Sequence, residues 1–309
     1  MANISVNTTL LDCDDLLGKY YDKYTTLLND SHVDPSQTEY CINLMFIMRV
    51  VSCIIICIGL PLTLIAIYAL YSLVKNGHVA PIYIINLFIS DIIQLCFLIV
   101  RESRPKEWMK KIIVGLPYSC VVLTSVGFML CISLERYLVI AHPLWYRFRR
   151  TIRISVAVCV VVWIIPPIYY SSVYPWLSDF VRNIVFSLCF IIPLPLLIFF
   201  LVGTLSALST SVSVPSDEKQ RIVAILVLVL LIYTLLFLPT IIVHIASTKF
   251  YDSTLHALSN MSLRLSPLAD LLLYVFIKKE TFEKLWTYVC CCRKENNDTN
   301  TNTINLDHM

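Results

Sequence analysis

IIVGLPYSCVVLTSVGFMLCISLERYLVIAHPL, residues 112–144, is the stretch on which the reading of this chain turns. It runs apolar, then sets Glu135 and Arg136 side by side before returning to Leu, Val and Ile. Crossing a bilayer takes roughly 20 helical residues. Apolar runs of that length recur along the chain, at about 44–74, 80–100, 112–138, 154–173, 183–208, 221–247 and 255–277. Composition agrees: of 309 residues 58% are apolar and 15% charged, with a mean hydropathy of +0.75, whereas a soluble domain carries about 25% charged residues. Lipid offers the backbone no hydrogen-bond partners, so each run is expected to be a helix and the prolines inside it kinks. A soluble fold is excluded.

The first 40 residues contain no basic region followed by an apolar core, so no cleavable leader is expected and the first span serves as the anchor. Asn3, Asn7 and Asn29 each begin an Asn-x-Ser/Thr tripeptide, which is usable only if that end enters the secretory lumen. Basic residues flanking the spans give an independent reading of orientation. Arg147, Arg149, Arg150 and Arg153 follow the third span, Lys219 and Arg221 precede the sixth, and Lys278, Lys279, Lys284, Arg293 and Lys294 follow the seventh. Those segments read as cytoplasmic, which puts the N-terminus outside and the C-terminus inside. RESRPKEWMKK, after the second span, is basic on the outer side and stands against the pattern.

A lone charge in hydrocarbon costs about 2.5–3.5 kcal/mol on insertion scales, so intramembrane ions persist where they are paired or used. Glu135-Arg136-Tyr137, followed by His142-Pro143-Leu144, resembles the Asp/Glu-Arg-Tyr signature and second-loop proline of rhodopsin-like, class A G-protein-coupled receptors. Asn86-Leu87-Phe88-Ile89-Ser90-Asp91 resembles the Asn-Leu-x-x-x-Asp motif of their second span. Trp163, Pro193 and Pro239 match the landmarks of the fourth, fifth and sixth spans, and Asp270-Leu271-Leu272-Leu273-Tyr274 resembles the Asp-Pro-x-x-Tyr variant that closes the seventh. KKETFEKLW then looks like the amphipathic helix lying on the inner membrane surface.

The resemblance implies roles for these positions. Glu135, Arg136, Tyr137 and Tyr274 would couple to a heterotrimeric G protein, with Arg136 turning toward the inserted helix of that partner. Phe237, standing where the family keeps a tryptophan, Tyr233 one turn below it and the bend at Pro239 would form the activation switch. Departures matter as well. Leu271 replaces the seventh-span proline, with Pro267 about one turn earlier; Thr63 stands for the first-span Asn and Leu201 for a fifth-span Tyr. These changes thin the polar network of the active state, which is compatible with unusual basal activity or with poor coupling.

Asp91, Ser125 and Asp270 occupy the positions whose side chains complete a sodium site in the family. Two buried carboxylates need a counter-charge or a proton on physical grounds alone, and a hard cation takes several oxygens. Sodium or a shared proton answers that need; hydrogen bonds to neighbouring Ser and Asn are the alternative. Arg101, Tyr118 and Arg264 form the candidate ligand site. Arg264 stands where light receptors carry the retinal-linked lysine, and a guanidinium cannot form that Schiff base. A fork-shaped permanent cation suits a carboxylate or phosphate, but an internal salt bridge with Glu102 accounts for it equally well. Tyr118 stands where aminergic receptors have Asp, which disfavours an amine ligand. His32, His244 and His256 are expected to face outward, too scattered to form a clear proton-sensing cluster.

The family's disulfide from the third span to the second outer loop is missing on both sides, with Lys111 at the third-span position and no cysteine in SSVYPWLSDF. Cys13 and Cys41 are the cysteines expected in the oxidising compartment, so an extracellular bridge would join those two. Cys290, Cys291 and Cys292, beside basic residues, suit palmitoylation.

The chain is therefore read as an all-α membrane protein, a seven-transmembrane helix bundle with a short amphipathic C-terminal helix. An extracellular tail covers residues 1–43, the bundle 44–277, the amphipathic helix 278–289 and a cytoplasmic tail 290–309. The motif style is closest to the nucleotide, lipid-mediator and proton-sensing receptor branch. The expected function is a plasma-membrane receptor for a small extracellular ligand, best matched by an anionic lipid or small acid, with a heterotrimeric G protein and membrane lipid as partners and no nucleic acid. No cofactor is expected apart from a bound sodium ion. A chemosensory, odorant-type receptor is the second reading and a transporter the third, although no internal repeat or pair of broken half-helices marks one. No His-Glu-x-x-His or Gly-x-Ser-x-Gly motif marks an enzyme.

Overall fold

The computed structural model describes residues 35–75, 81–103, 116–144, 146, 151–210, 216–246 and 253–277. Each expected span is helical: α1 (Pro35–Lys75), α2 (Pro81–Glu102), α3 (Leu116–Ala141), α4 (Ile152–Ile168), the fifth span as α5 (Asp179–Ile191) and α6 (Pro193–Thr210), α7 (Ser216–Ala246) and α8 (Ser253–Ile277). Thr151 caps α4 by accepting from the Ile154 N–H, which satisfies one of the amide donors a helix start leaves over.

Helix α3 runs through the middle, packed on α2, α4, α6 and α7, while α8 closes the ring between α7 and α1 and also touches α2. Phe88, Phe128, Ile132, Phe190, Tyr233 and Phe237 form the heart of one continuous core. The reverse faces keep Ile, Leu and Val exposed, as on α4 at Val160, Val161, Ile164 and Ile165, which is the arrangement a lipid solvent permits. Close approach is built in by small residues. A Cβ on Gly127 would meet Val162 Cγ1 at 2.8 Å, and one on Gly203 would meet the Tyr137 ring at 2.7 Å. Across α2 and α4, Trp163 Nε1 donates to Asn86 Oδ1 at 3.0 Å, joining two of the motif residues.

Several boundaries differ from expectation. Helix α1 begins at Pro35, so residues 35–43, expected in the tail, belong to a 41-residue helix. Proline is pre-organised for the first helical position, and Pro35 is a start signal that the apolar pattern overlooks. The fourth span loses α-helical form after Ile168 and finishes as a π turn, Tyr169–Val173, then a 3-10 turn, Tyr174–Trp176. Pro166 and Pro167 bring no N–H to the ladder, and the Tyr169 N–H is shared by the Ile165 and Pro166 carbonyls. The fifth span is interrupted at Ile192 for the same reason, since Pro193 and Pro195 leave the Cys189 and Ile191 carbonyls without their usual donors. Among the described residues, six helices are long and apolar enough to cross a membrane. The seventh, α8, has 25 residues, about 37 Å of helix, and is made more polar by Arg264, Asp270, Ser259, Ser262 and Ser266. The expected amphipathic helix, residues 278–289, lies outside the described residues.

Candidate functional site

At the end of the bundle where α3 finishes, Glu135 is buried and accepts a hydrogen bond at 2.5 Å from the hydroxyl of Tyr146. Charge-assisted O–H bonds of that length are strong, so the carboxylate is held by the segment after α3. Tyr137 is enclosed by rings, with centroids 6.1 Å from His142, 5.8 Å from Phe199 and 5.9 Å from Phe200, and Gly203 leaves room for it. Arg136 is partly buried beside them. Tyr274 packs on the main core from α8. Sequence reading does not find Tyr146, because nothing in the motif says that a residue ten positions after the arginine folds back.

In mid-bundle, Phe237 is fully buried, stacked on Phe190 at 5.3 Å and against Tyr233 at 4.9 Å. The Tyr233 hydroxyl donates to the Phe190 carbonyl, tying α7 to α5 just before the break at Ile192. The expected switch residues Phe237 and Tyr233 are thus brought together, with Pro239 on the next turn of α7, and Phe190 completes the group. Its position three residues before Pro193 was the available signal.

Asp91 and Asp270 are both fully buried and approach closely enough for their carboxyls to interact directly. Two acceptor-only carboxylates cannot do so without a proton or a cation between them. Gln94 Nε2 reaches Asp91 Oδ1 at 3.5 Å, and Ser266 Oγ reaches Asp270 Oδ2 at 3.5 Å. Asp91 Oδ2, Gln94 Oε1 and Asp270 Oδ1 are buried and find no hydrogen-bond partner among the described residues. Such a set of orphaned oxygens fits a hard cation. Ser125 donates to the Val122 carbonyl of its own helix at 2.8 Å. Gln94 and Ser266, one turn from each aspartate, are the additions that sequence reading did not make.

At the opposite end, Arg264 is 6% exposed on α8. Its Nη1 donates to Ser52 Oγ at 2.5 Å, to Glu102 Oε1 at 3.3 Å and to the Met48 carbonyl at 3.4 Å. The salt bridge with Glu102 that sequence held open against an anion clamp is therefore present. Arg49 shares the same carboxylate, its Nε lying 3.8 Å from Glu102 Oε2 and its Nη2 donating to the Glu102 carbonyl at 3.4 Å. Tyr118 lies within electrostatic reach of both Arg101 and Arg264, and its hydroxyl donates to the Leu263 carbonyl at 3.4 Å. Of the three candidate ligand residues, Tyr118 and Arg264 meet where α3 faces α8, and Arg101 lies next to Glu102 in the last turn of α2. Arg49, Ser52 and the Met48 carbonyl join them from α1.

Cys13, Asn3, Asn7, Asn29, Cys290, Cys291 and Cys292 lie outside the described residues. Cys41 falls within α1, and its side chain is outside the described set.

The sequence pattern of the 7 transmembrane receptor (rhodopsin family) matches residues 62–178. Mouse G-protein coupled receptor 68 is 24% identical over 267 residues, covering 75% of this chain and 73% of its own. A chicken purinoceptor is 24% identical over 299 residues, 83% of this chain and 84% of its own. Human free fatty acid receptor 3 is 28% identical over 148 residues, 45% of this chain and 42% of its own.

Proposed function

Because the chain belongs to the rhodopsin-like family of seven-helix G-protein-coupled receptors, we propose that it binds a small anionic ligand, a lipid acid or other carboxylate, from outside the cell and promotes nucleotide exchange on a heterotrimeric G protein inside. It is a multi-pass membrane receptor and not an enzyme. The observation that carries the ligand class is the buried Arg264, with Arg49 on the same carboxylate and Tyr118 bonded to the neighbouring Leu263 carbonyl. A guanidinium in that setting recognises oxyanions by charge and by paired donors. One relative is by its name a receptor of free fatty acids, which are carboxylates, and that supports the same class here.

The chain's own residues divide the work. Arg264 and Arg101 hold the anion and Tyr118 borders it. Phe237, Tyr233 and Phe190 transmit a change in α7 relative to α5. The proline at 239 gives α7 its weak point. At the cytoplasmic end, Tyr146 holds Glu135 while Arg136 waits for the G protein. Asp91, Asp270, Gln94, Ser266 and Ser125 would hold a sodium ion or a shared proton; the ion, when bound, supplies the positive charge two facing carboxylates require.

Reconstituted receptor and a purified heterotrimer test the proposal. Carboxylates and acidic lipids should raise nucleotide exchange, Arg136→Ala should reduce it to the receptor-free rate, and Arg264→Leu should abolish the response to acids. Equal responses from Arg264→Leu and wild type would remove the anion clamp. Ion flux with no nucleotide exchange would point to a transporter.

A further inference from the structure

We infer that Glu102 occupies the anion seat of Arg264 in the ligand-free receptor, and that an acidic ligand acts by displacing this carboxylate of the chain itself. The inference rests on the anionic-ligand reading above and adds the residue that opposes the ligand.

Glu102 ends α2, and its two oxygens are divided between two guanidiniums, Oε1 toward Arg264 of α8 and Oε2 toward Arg49 of α1. Both distances, 3.3 and 3.8 Å, exceed the roughly 2.7–2.9 Å of a strong charge-assisted bond. Arg264 makes its shortest contact with the neutral Ser52 hydroxyl, at 2.5 Å. The carboxylate is thus held in the right place but loosely, as a group that can be replaced should be. Its side chain is 18% exposed and that of Arg49 is 44% exposed, whereas Arg264 is 6% exposed. An incoming acid therefore meets Glu102 and Arg49 before it meets Arg264.

Charge balance favours exchange over simple occupation. Among the described side chains at this end of α1, α2 and α8, Arg49 and Arg264 share the Glu102 carboxylate. A second anion must compete with a carboxylate that is covalently tethered and always present. Such a tethered competitor selects for ligands that carry a full negative charge, because a neutral hydrogen-bonding group cannot compensate two guanidiniums. It also links binding to shape. Glu102 belongs to α2 while the groups it bridges belong to α8 and α1, so its departure releases α2 from both neighbours at this end.

The test uses the full receptor in lipid nanodiscs. Its thermal unfolding is followed while octanoate is added to the water or oleic acid to the disc lipid. Glu102→Gln keeps the shape and hydrogen-bonding capacity of the side chain and removes its charge. This variant should reach half-maximal stabilisation at roughly tenfold lower acid concentration than wild type in at least one arm, as expected when a charged competitor is removed. Adding Arg264→Leu to it should erase the gain. Should Glu102→Gln fail to fold, Glu102→Asp, whose carboxylate is withdrawn by one methylene, should move the same midpoint in the same direction. Equal or higher midpoints in the variants, with wild type still binding acids through Arg264, would overturn the inference and leave the anionic-ligand reading standing. No stabilisation of any form by either acid would overturn both.

Discussion

Tyr233 is the side chain whose role can be weighed most directly. Its hydroxyl donates to the Phe190 carbonyl while its ring packs on Phe237. A buried hydrogen bond contributes about 1 kcal/mol net, and leaving its acceptor unmet costs about 1–3 kcal/mol. Tyr233→Phe keeps the ring and removes the bond, so the purified receptor should unfold at a lower temperature, by about 1 kcal/mol of stability. Ligand-free nucleotide exchange should rise with it, since α7 is released from α5 near the break at Ile192. A melting curve and basal exchange rate indistinguishable from wild type would show that the bond constrains nothing. Sequence reading reached Tyr233 and Phe237 by family position. It could not reach the bond, because Phe190 contributes a backbone carbonyl, and a carbonyl has no residue-type signature.

Between elements, the seams at Gly127 and Gly203 decide how near α3 comes to α4 and α6. Two effects oppose each other at Gly127→Ala. Alanine is better than glycine inside a helix by about 1 kcal/mol. Against this, the added Cβ would sit 2.8 Å from Val162 Cγ1, and overpacking of that kind costs about 1–3 kcal/mol. The clash is expected to win, lowering thermal stability and surface abundance. Val162→Ala, which removes the obstructing methyl groups, should restore both in the double variant. If Gly127→Ala alone is as stable as wild type, the α3–α4 seam is looser than its geometry indicates. The breaks at Ile192 and after Ile168 belong to this scale too. Prolines in the sequence announced bends, but whether a missing N–H becomes a kink, a π turn or an interruption depends on which neighbours take up the spare carbonyl.

For the whole molecule, orientation in the membrane is the property that flanking charge predicts. Asn3, Asn7 and Asn29 should carry glycans if the N-terminus is outside, so treatment with a glycosidase should increase gel mobility. The triple Asn→Gln variant should already migrate at the treated position. An untreated wild type that co-migrates with the triple variant would speak against this topology. Helix count and the order of the motif residues were readable along the chain, because lipid forces every apolar run of sufficient length into a helix and leaves little choice. Asp91, Asp270, Arg264 and Arg136 could be picked out for the same reason, as charges that hydrocarbon does not tolerate without a use. The partners of those charges required the packed bundle. Arg49 and Ser52 stand 215 and 212 positions from Arg264, and Gln94 and Ser266 come from different spans. Helix rotation and crossing alone bring such residues within a few ångströms, and they are set by the interlocking of many side chains at once. That this chain spans the membrane, and which of its charges must matter, was thus written in the order of its residues. That Arg264 already holds a carboxylate was not, because only packing brings the ends of α1, α2 and α8 to one place.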